Sequence, residues 1–135
     1  MGNAKDVAWS YFDALGEGRV DDALDILDPE GTFWSVVFPR ETPIQELYDH
    51  IRASIDATHM TFELHNAVEQ GDTVMLELES HGEAPNGDPY NNVYAFIVTV
   101  RNGKVLRLRG YTDARVVDDL IEAVPEGQFV HWSVD

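Results

Sequence analysis

The spacing of apolar residues predicts helices in the first part of the chain. Ala4–Leu15 carries its apolar side chains at helical spacing, on one face. A second short helix follows, with Asp21 as its candidate N-cap. For a third helix, Thr42 is the candidate N-cap and Pro43 occupies the first helical position, while Gln45 completes a capping box. The apolar stripe of this helix consists of Ile44, Leu47, Tyr48, Ile51 and Ile55.

Alternation of apolar and polar residues predicts a sheet in the rest of the chain. The segments with this pattern are Thr32–Phe38, Met60–Val68, Thr73–His81, Tyr90–Arg101 and Lys104–Asp113. The expected inward positions of the second segment are Met60, Phe62, Leu64 and Val68. Tight turns at Gln70–Asp72 and Asn102–Gly103 predict antiparallel hairpins, and Asp28–Gly31 predicts another turn. Ala114–Val124 is expected to form a closing helix, so the fold class is α+β.

Length and composition favour one globular domain over residues 1–135, with its core at about 4–124. The chain has 135 residues, of which 44% are hydrophobic and 25% charged. The tail, 125–135, contains Phe129, Val130 and Trp132, and we expect it to cover a pocket mouth or a neighbouring subunit.

Charge narrows the classes of partner. The net charge of −16 repels phosphate backbones and anionic lipid, which argues against nucleic-acid and membrane partners. No cysteine is present, so thiolate chemistry is excluded.

The first residues lack a signal-like apolar region, and we expect a cytoplasmic protein. His50, His59 and His65 have no spacing typical of a metal site, and we expect neither a metal nor a cofactor.

Several segments together resemble a known family. They are Val7–Leu15 with Gly18, Gly31–Trp34, Gly71–Val74, Tyr90–Phe96, Asn102–Val105 and Arg109–Asp113. The chain is similar to the SnoaL-like branch of the NTF2-like superfamily, which includes ketosteroid isomerases, polyketide cyclases and limonene epoxide hydrolases. The resemblance implies a cone-shaped barrel in which a curved antiparallel sheet wraps around helices. It also implies a deep pocket, and homodimers formed through the outer sheet face.

Asp113 is the first candidate for chemistry. The resemblance places it where SnoaL-like cyclases and epoxide hydrolases keep an acid/base aspartate. On the floor of an apolar pocket, desolvation would raise the pKa of its carboxyl group, which suits proton transfer. The alternative is that Asp113 is the N-cap of the following helix. In a regular strand, the side chains of Arg107 and Arg109 would lie on the same face as that of Asp113 and could pair with it. A bulge near Gly110 would place them on the opposite face.

Glu79 and His81 lie two residues apart, so their side chains share one face of a strand. If that face is concave, Glu79 orients the imidazole and His81 is a second proton-transfer group. The alternative is a solvated face at a strand end. In the epoxide hydrolases the matching pair is Arg and Asp, so the resemblance argues against that activity here.

Tyr11 and Tyr94 are candidate donors to an oxyanion. The resemblance puts Tyr11 where ketosteroid isomerases keep an oxyanion-hole tyrosine, although an aromatic core residue is the alternative. It also puts Ser35 where those isomerases keep a carboxylate base. Their second oxyanion-hole group, a protonated aspartate, corresponds to Tyr94 or Ala95, so two of their three catalytic groups are absent here. A 3-oxosteroid isomerase is therefore disfavoured.

Aromatic and amide side chains are candidate lining groups of the pocket. They are Trp34, Phe38, Phe62, Tyr90, Asn92, Tyr94 and Phe96. Such a wall suits a flat, partly oxygenated organic ligand, whereas ordinary core packing is the alternative.

Two function classes follow from these residues. The first is a cofactor-independent acid/base isomerase, cyclase or dehydratase acting on a hydrophobic, oxygenated substrate of polyketide, steroid or terpenoid type. The second is a non-catalytic module that binds a small molecule or forms a dimer. Epoxide hydrolysis is the third and weakest hypothesis.

Overall fold

The computed structural model describes residues 3–123, and the tail at 125–135 lies outside them. Its helices are α1 (Ala4–Gly16), α2 (Val20–Ile26), α3 (Tyr48–Thr58) and α4 (Ala114–Ala123). Its strands are β1 (Leu27–Ser35), β2 (Phe38–Pro43), β3 (Thr61–Gln70), β4 (Thr73–Glu83), β5 (Pro89–Arg101) and β6 (Lys104–Thr112). No helix in this part of the chain has both the length and the apolar character needed to span a membrane.

The six strands form one curved sheet in the order β2-β1-β6-β5-β4-β3. All neighbouring pairs are antiparallel except β1 and β6, which run parallel. The hairpin predicted at Asn102–Gly103 is confirmed, and both residues have positive φ angles, 54° and 74°. Such angles match the twist that a two-residue turn needs between two strands.

The two faces of the sheet have opposite character. On β4, Val74, Leu76, Leu78 and Ser80 are buried, while the residues between them are exposed or half-buried. We call the face with these buried residues the inner face, and the opposite one the outer face. Helix α1 packs across β3, β4, β5 and β6, and its buried stripe includes Tyr11, Phe12 and Leu15. The α+β class is therefore confirmed, with α1 packed on the inner face of the curved sheet.

The turn expected at Asp28–Gly31 is wrong, because β1 begins at Leu27. The pairing of β1 with β6 shifts register across this stretch. Gly31 allows the close approach there, since an added Cβ would lie 2.6 Å from the Leu106 carbonyl oxygen. The strand predicted at Thr32–Phe38 is the second part of β1, which ends at Ser35. Phe38 begins β2 instead.

Both N-cap predictions for α2 and α3 are wrong. Asp21 lies inside the first turn of α2, and its carboxylate accepts a 2.8 Å hydrogen bond from Arg52 on α3. Thr42 belongs to β2, where its hydroxyl donates to the Arg40 carbonyl oxygen at 3.0 Å. The capping box does not form because a 3-10 turn precedes α3, which begins only at Tyr48.

Strand β3 contains a β-bulge that the alternation of its sequence does not predict. The ladder with β4 shifts between Leu64 and Asn66, so His65 is an extra residue. Beyond the bulge the inward and outward positions are exchanged. Val68, expected to point inward, is therefore 53% exposed, and Ala67 packs against the core instead.

Candidate functional site

A cavity of about 150 Å³ lies between α1, α3 and the inner face of the sheet. Apolar side chains form most of its wall. Its polar lining residues are Tyr11, His50, Ser54 and Tyr94, and its phenylalanines are Phe12, Phe33, Phe62 and Phe96. Among the described lining residues there is no aspartate and no glutamate. The chemistry available at this wall is therefore that of two phenols, an imidazole and a hydroxyl group.

Tyr11 reaches the cavity from the buried stripe of α1. Its side chain is almost completely buried, and its ring meets that of Phe12 edge-on at 4.9 Å between centroids. Burial raises the pKa of the Tyr11 phenol well above its ordinary value of 10.0. The phenol therefore stays protonated at neutral pH and is a hydrogen-bond donor rather than a base.

Tyr94 projects from the inner face of β5. Its hydroxyl lies 2.8 Å from Oγ of Ser80, a fully buried residue on the neighbouring strand. A further side-chain hydrogen bond links Tyr94 to Tyr90. Burial is the main cause that raises the pKa of the Tyr94 phenol, which therefore stays protonated as well. These hydrogen bonds restrict the direction in which the hydroxyl points.

Phe62 and Phe96 line the cavity as predicted. Phe12 lies between them, with ring centroids 5.4 Å from Phe62 and 4.7 Å from Phe96. The position of Phe96 depends on Gly110, directly opposite it on β6. A Cβ added at Gly110 would lie 2.7 Å from the Phe96 ring, so any larger residue would displace this part of the wall.

Tyr90 and Asn92 are buried on the inner face but are not among the lining residues of this cavity. The Asn92 amide donates to the Asp113 carbonyl oxygen at 3.3 Å and accepts from the Val93 backbone N–H at 2.8 Å. Tyr90 forms side-chain hydrogen bonds with Asn92 and Tyr94. Tyr90 therefore links Asn92 to Tyr94 of the wall through hydrogen bonds, and the predicted position of Tyr90 and Asn92 on the wall is wrong for this cavity.

The predicted pocket position of Asp113 is also wrong. Asp113 directly precedes α4, and its Oδ1 accepts the Arg115 backbone N–H at 3.0 Å. The Arg115 guanidinium binds the same carboxylate at 3.2 and 3.3 Å. These hydrogen bonds lower the pKa of the Asp113 carboxyl group, where a pocket would have raised it. The structure thus shows the helix-cap alternative.

The two arginines expected on the same strand face as Asp113 do not bind its carboxylate. Arg107 and Arg109 instead contact Glu41 Oε1 at 3.0 and 3.1 Å. Hydrogen bonding by Thr32, followed by that of Arg107, lowers the pKa of the Glu41 carboxyl group.

Glu79 and His81 lie on the outer face, not on the concave one. His81 Nε2 is 3.2 Å from Glu63 and 3.5 Å from Glu79, and its side chain is 45% exposed. His65 Nε2 lies 3.0 Å from Glu79 Oε1, and this hydrogen bond is the main cause that raises the pKa of the His65 imidazole. The proposed pairing of Glu79 with His81 is thus present, but the sheet separates it from the cavity.

Trp34 and Phe38 are not among the residues that line the cavity either. Trp34 stacks under the Arg109 guanidinium at 4.2 Å and meets the Tyr111 ring at 5.3 Å. Phe38 is buried on β2, with Arg40 over its ring at 4.9 Å. Phe33, the residue before Trp34 on β1, lines the cavity instead.

Sequence reasoning missed His50 and Ser54 as lining residues. Both lie on α3, four residues apart and therefore on one helix face. Ser54 Oγ donates to the His50 carbonyl oxygen at 2.9 Å, and the His50 Nδ1 atom is buried. The sequence feature that could have identified them is their position next to Ile51 and Ile55, which belong to the apolar stripe of α3 and line the cavity.

A family model described as SnoaL-like domain matches residues 9–108. This span is more than half of the 135 residues. The chain belongs to the SnoaL-like domain family. A search of curated proteins finds no significant match.

Solved structures share the fold at low sequence identity. With a provisionally assigned isomerase from Bacillus subtilis the TM-score is 0.78 at 20% identity, over 95% of this chain and 96% of that one. With a provisionally assigned SnoaL-like polyketide cyclase from Jannaschia sp. CCS1 the TM-score is 0.71 at 18% identity, over 90% of this chain and 93% of that one. With an LEH-like epoxide hydrolase from M. tuberculosis it is 0.74 at 16% identity, over 89% and 90%. One fold thus carries several activities, and the site must decide between them.

Proposed function

We propose that this protein binds a small, hydrophobic, oxygenated molecule in the cavity and transfers a proton on it. The reaction class is proton abstraction next to a carbonyl group, leading to isomerisation, cyclisation or dehydration. The observation that carries the proposal is the combination of two protonated phenols and one imidazole, Tyr11, Tyr94 and His50, in an otherwise apolar cavity.

The two phenols and the imidazole have different roles in this proposal. The phenols of Tyr11 and Tyr94 donate hydrogen bonds to the carbonyl oxygen, whose negative charge grows as the carbon–hydrogen bond breaks. Because a phenol has one O–H, Tyr94 donates to the substrate only while it accepts its hydrogen bonds from Ser80 and Tyr90. His50 accepts the proton, because an imidazole nitrogen can accept a proton from carbon and return it. His50 takes the role that sequence reasoning had given to Asp113 and His81.

The cavity volume limits the size of the substrate. At about 150 Å³ it matches the volume of an engineered apolar cavity that accepts benzene. A single six-membered ring therefore fits this volume without rearrangement, whereas a four-ring steroid nucleus would extend beyond it through the open side of the cavity. Within the expected range of polyketide, steroid and terpenoid-like compounds, the geometry favours monocyclic ones.

Hydrogen–deuterium exchange tests this proposal. In D₂O, the protein should accelerate exchange of the protons next to the carbonyl group of cyclohexanone, measured by proton NMR. His50→Gln should lower the enzymatic rate by about 10²-fold, since general-base catalysis typically contributes this much or more. Tyr11→Phe or Tyr94→Phe should each lower it by about 10²-fold through loss of a donor to the oxyanion.

Matched controls come from side chains outside the cavity. Tyr48→Phe and His59→Asn change the same residue types, and neither residue lines the cavity. Asparagine at 59 also tolerates the left-handed backbone of His59, whose φ angle is 48°. Both controls should exchange at the unmodified rate. An unchanged rate in His50→Gln would contradict the role of His50 in proton transfer.

A second candidate function is binding without turnover. The absence of a carboxylate among the described lining residues favours it, because the acid/base aspartate implied by the family resemblance is not in the cavity. The same sample separates the two functions. Cyclohexanone that raises the melting temperature but exchanges at the buffer rate would assign a binding module.

We also propose a homodimer formed through the outer face. An apolar strip of Val93, Ile97 and Tyr111 is exposed there on β5 and β6, and Val93 is 58% exposed. Acidic side chains of β3 and β4 lie on one side of this strip and the arginines of β6 on the other. A two-fold axis through the strip would set acidic residues of one copy against arginines of the other.

A further inference from the structure

Two histidines and two glutamates meet on the outer face, where β3 and β4 pair. The group consists of Glu63, His65, Glu79 and His81, and we call it the His–Glu cluster. One ligand atom each from Glu63, His65 and Glu79 lie within 4.8 Å of one another. The sheet separates the cluster from the cavity, and the proposed reaction does not use it.

Strand register assembles the cluster from residues that are distant in sequence. Glu63 pairs directly with Glu79 across the two strands, and both side chains point outward. His65, two residues beyond Glu63, lies at the β-bulge of β3. Bulges re-aim side chains and are over-represented beside functional sites. No pattern along one strand reveals the set, which explains why histidine spacing predicted no metal site.

The distances within the cluster match the geometry of a small tetrahedral metal site. Zinc binds imidazole nitrogen and carboxylate oxygen at about 2.0–2.2 Å, so neighbouring ligand atoms in a tetrahedron are about 3.3–3.6 Å apart. Among the ligand atoms of Glu63, His65 and Glu79, the separation of His65 Nε2 from Glu79 Oε1 is 3.0 Å, and all three atoms lie within 4.8 Å of one another. Small side-chain rotations therefore suffice to place an ion among these atoms.

The donor set indicates the type of ion. One imidazole with two carboxylates suits divalent ions of intermediate softness, whereas Mg²⁺ prefers oxygen ligands alone. The net charge of −16 raises the local concentration of cations around the molecule. A bound cation would also offset the repulsion among the carboxylates of Glu63, Glu77 and Glu79.

We propose that Glu63, His65 and Glu79 bind a divalent transition-metal ion, of which zinc(II) is the best fit, on the outer face. His81 is a positioning residue in this site, because its Nε2 contacts both carboxylates, at 3.2 and 3.5 Å. Since the site faces away from the cavity, the ion stabilises the pairing of β3 with β4 rather than contacting the substrate.

Calorimetric titration of the tag-free, EDTA-treated protein with zinc chloride tests the site. One zinc ion should bind per chain, and magnesium chloride should give no heat of binding at the same concentration. His65→Ala and Glu79→Gln each remove a ligand and should abolish binding at this site. His81→Gln should weaken it by about 10–100-fold, as loss of a supporting hydrogen bond to a ligand typically does.

Two further measurements separate a site from non-specific binding. His59→Asn removes an exposed histidine outside the cluster and should bind zinc as tightly as the unmodified protein. Cobalt(II) in place of zinc should give the visible absorption bands of a four-coordinate ion, and these should vanish in His65→Ala. Circular dichroism confirms that each variant is folded.

Equal zinc affinity in His65→Ala, Glu79→Gln and the unmodified protein would overturn the proposal and leave the cluster as a hydrogen-bonded group. So would an equal loss of binding in His59→Asn. Neither result depends on the proton-exchange assay, so the metal site and the proposed function can fail separately.

Discussion

At the scale of single residues, the environment of a polar group decides its chemistry. Tyr11 and Tyr94 are surrounded by apolar side chains, so burial raises the pKa of each phenol and keeps its proton. Asp113 lies beside Arg115, and hydrogen bonds lower the pKa of its carboxyl group instead. The residues suited to donate a hydrogen bond in the cavity are therefore the tyrosines.

The contact between Ser80 and Tyr94 should make a measurable contribution to stability. Ser80→Ala removes a partner of the buried Tyr94 hydroxyl and should lower the free energy of unfolding by about 1 kcal/mol. In the double variant with Tyr94→Phe, the loss should be smaller than the sum of the two single losses, because both changes remove the same bond. Urea denaturation of the four proteins gives the coupling. Strict additivity would show that the hydrogen bond contributes nothing.

At the scale of secondary structure, several elements form where local signals and tertiary contacts agree. The stripe of α1 and the turn at Asn102–Gly103 are confirmed because each is determined by residues next to one another in sequence. The bulge at His65 and the strand character of Asp28–Gly31 depend on a neighbouring strand. Local patterns could not predict them, since the ladder that imposes them comes later in the chain.

Two substitutions of Asp113 test whether it caps the start of α4. Asp113→Asn keeps a good N-cap residue and should leave both the helix and the exchange of cyclohexanone protons unchanged. Asp113→Ala removes the cap and should lower the melting temperature, again without an effect on the rate measured for folded protein. A loss of exchange in Asp113→Asn at unchanged stability would instead support the acid/base role.

The pH dependence of this cap has a definite sign. The pKa of Asp113 is lower in the folded state than its ordinary value of 3.8. Its stabilisation is therefore fully present well above pH 3.8 and is lost as the pH falls through the folded pKa. The melting temperatures of Asp113→Ala and the unmodified protein should converge in this acidic range.

At the scale of the whole molecule, the curved sheet has two chemically different sides. The inner face and the helices enclose the cavity, while the outer face carries the exposed strip of Val93, Ile97 and Tyr111. The fold makes both surfaces available at once, because alternate residues of each strand point to opposite sides. Ligand binding and association of two copies can thus be tested independently.

The proposed dimer predicts a specific effect of charge on the outer strip. Val93→Lys places a charge in the centre of the strip and should shift the protein from dimer to monomer in analytical ultracentrifugation. Val36→Lys is the control, because Val36 is also an exposed valine, 42% accessible, but lies in the turn between β1 and β2. A monomer in the unmodified protein at micromolar concentration would contradict the proposal.

The sequence by itself determined the fold class, most elements and part of the cavity wall. Periodicity places Tyr11 on the buried stripe of α1, and alternation places Tyr94 and Phe96 together on the inner face of β5, because these patterns follow from local backbone geometry. Tertiary structure alone decided which polar groups face the cavity. Asp113 caps a helix, Glu79 and His81 lie outside and His50 lies inside, because strand register, a bulge and helix packing fix these positions through contacts between distant residues.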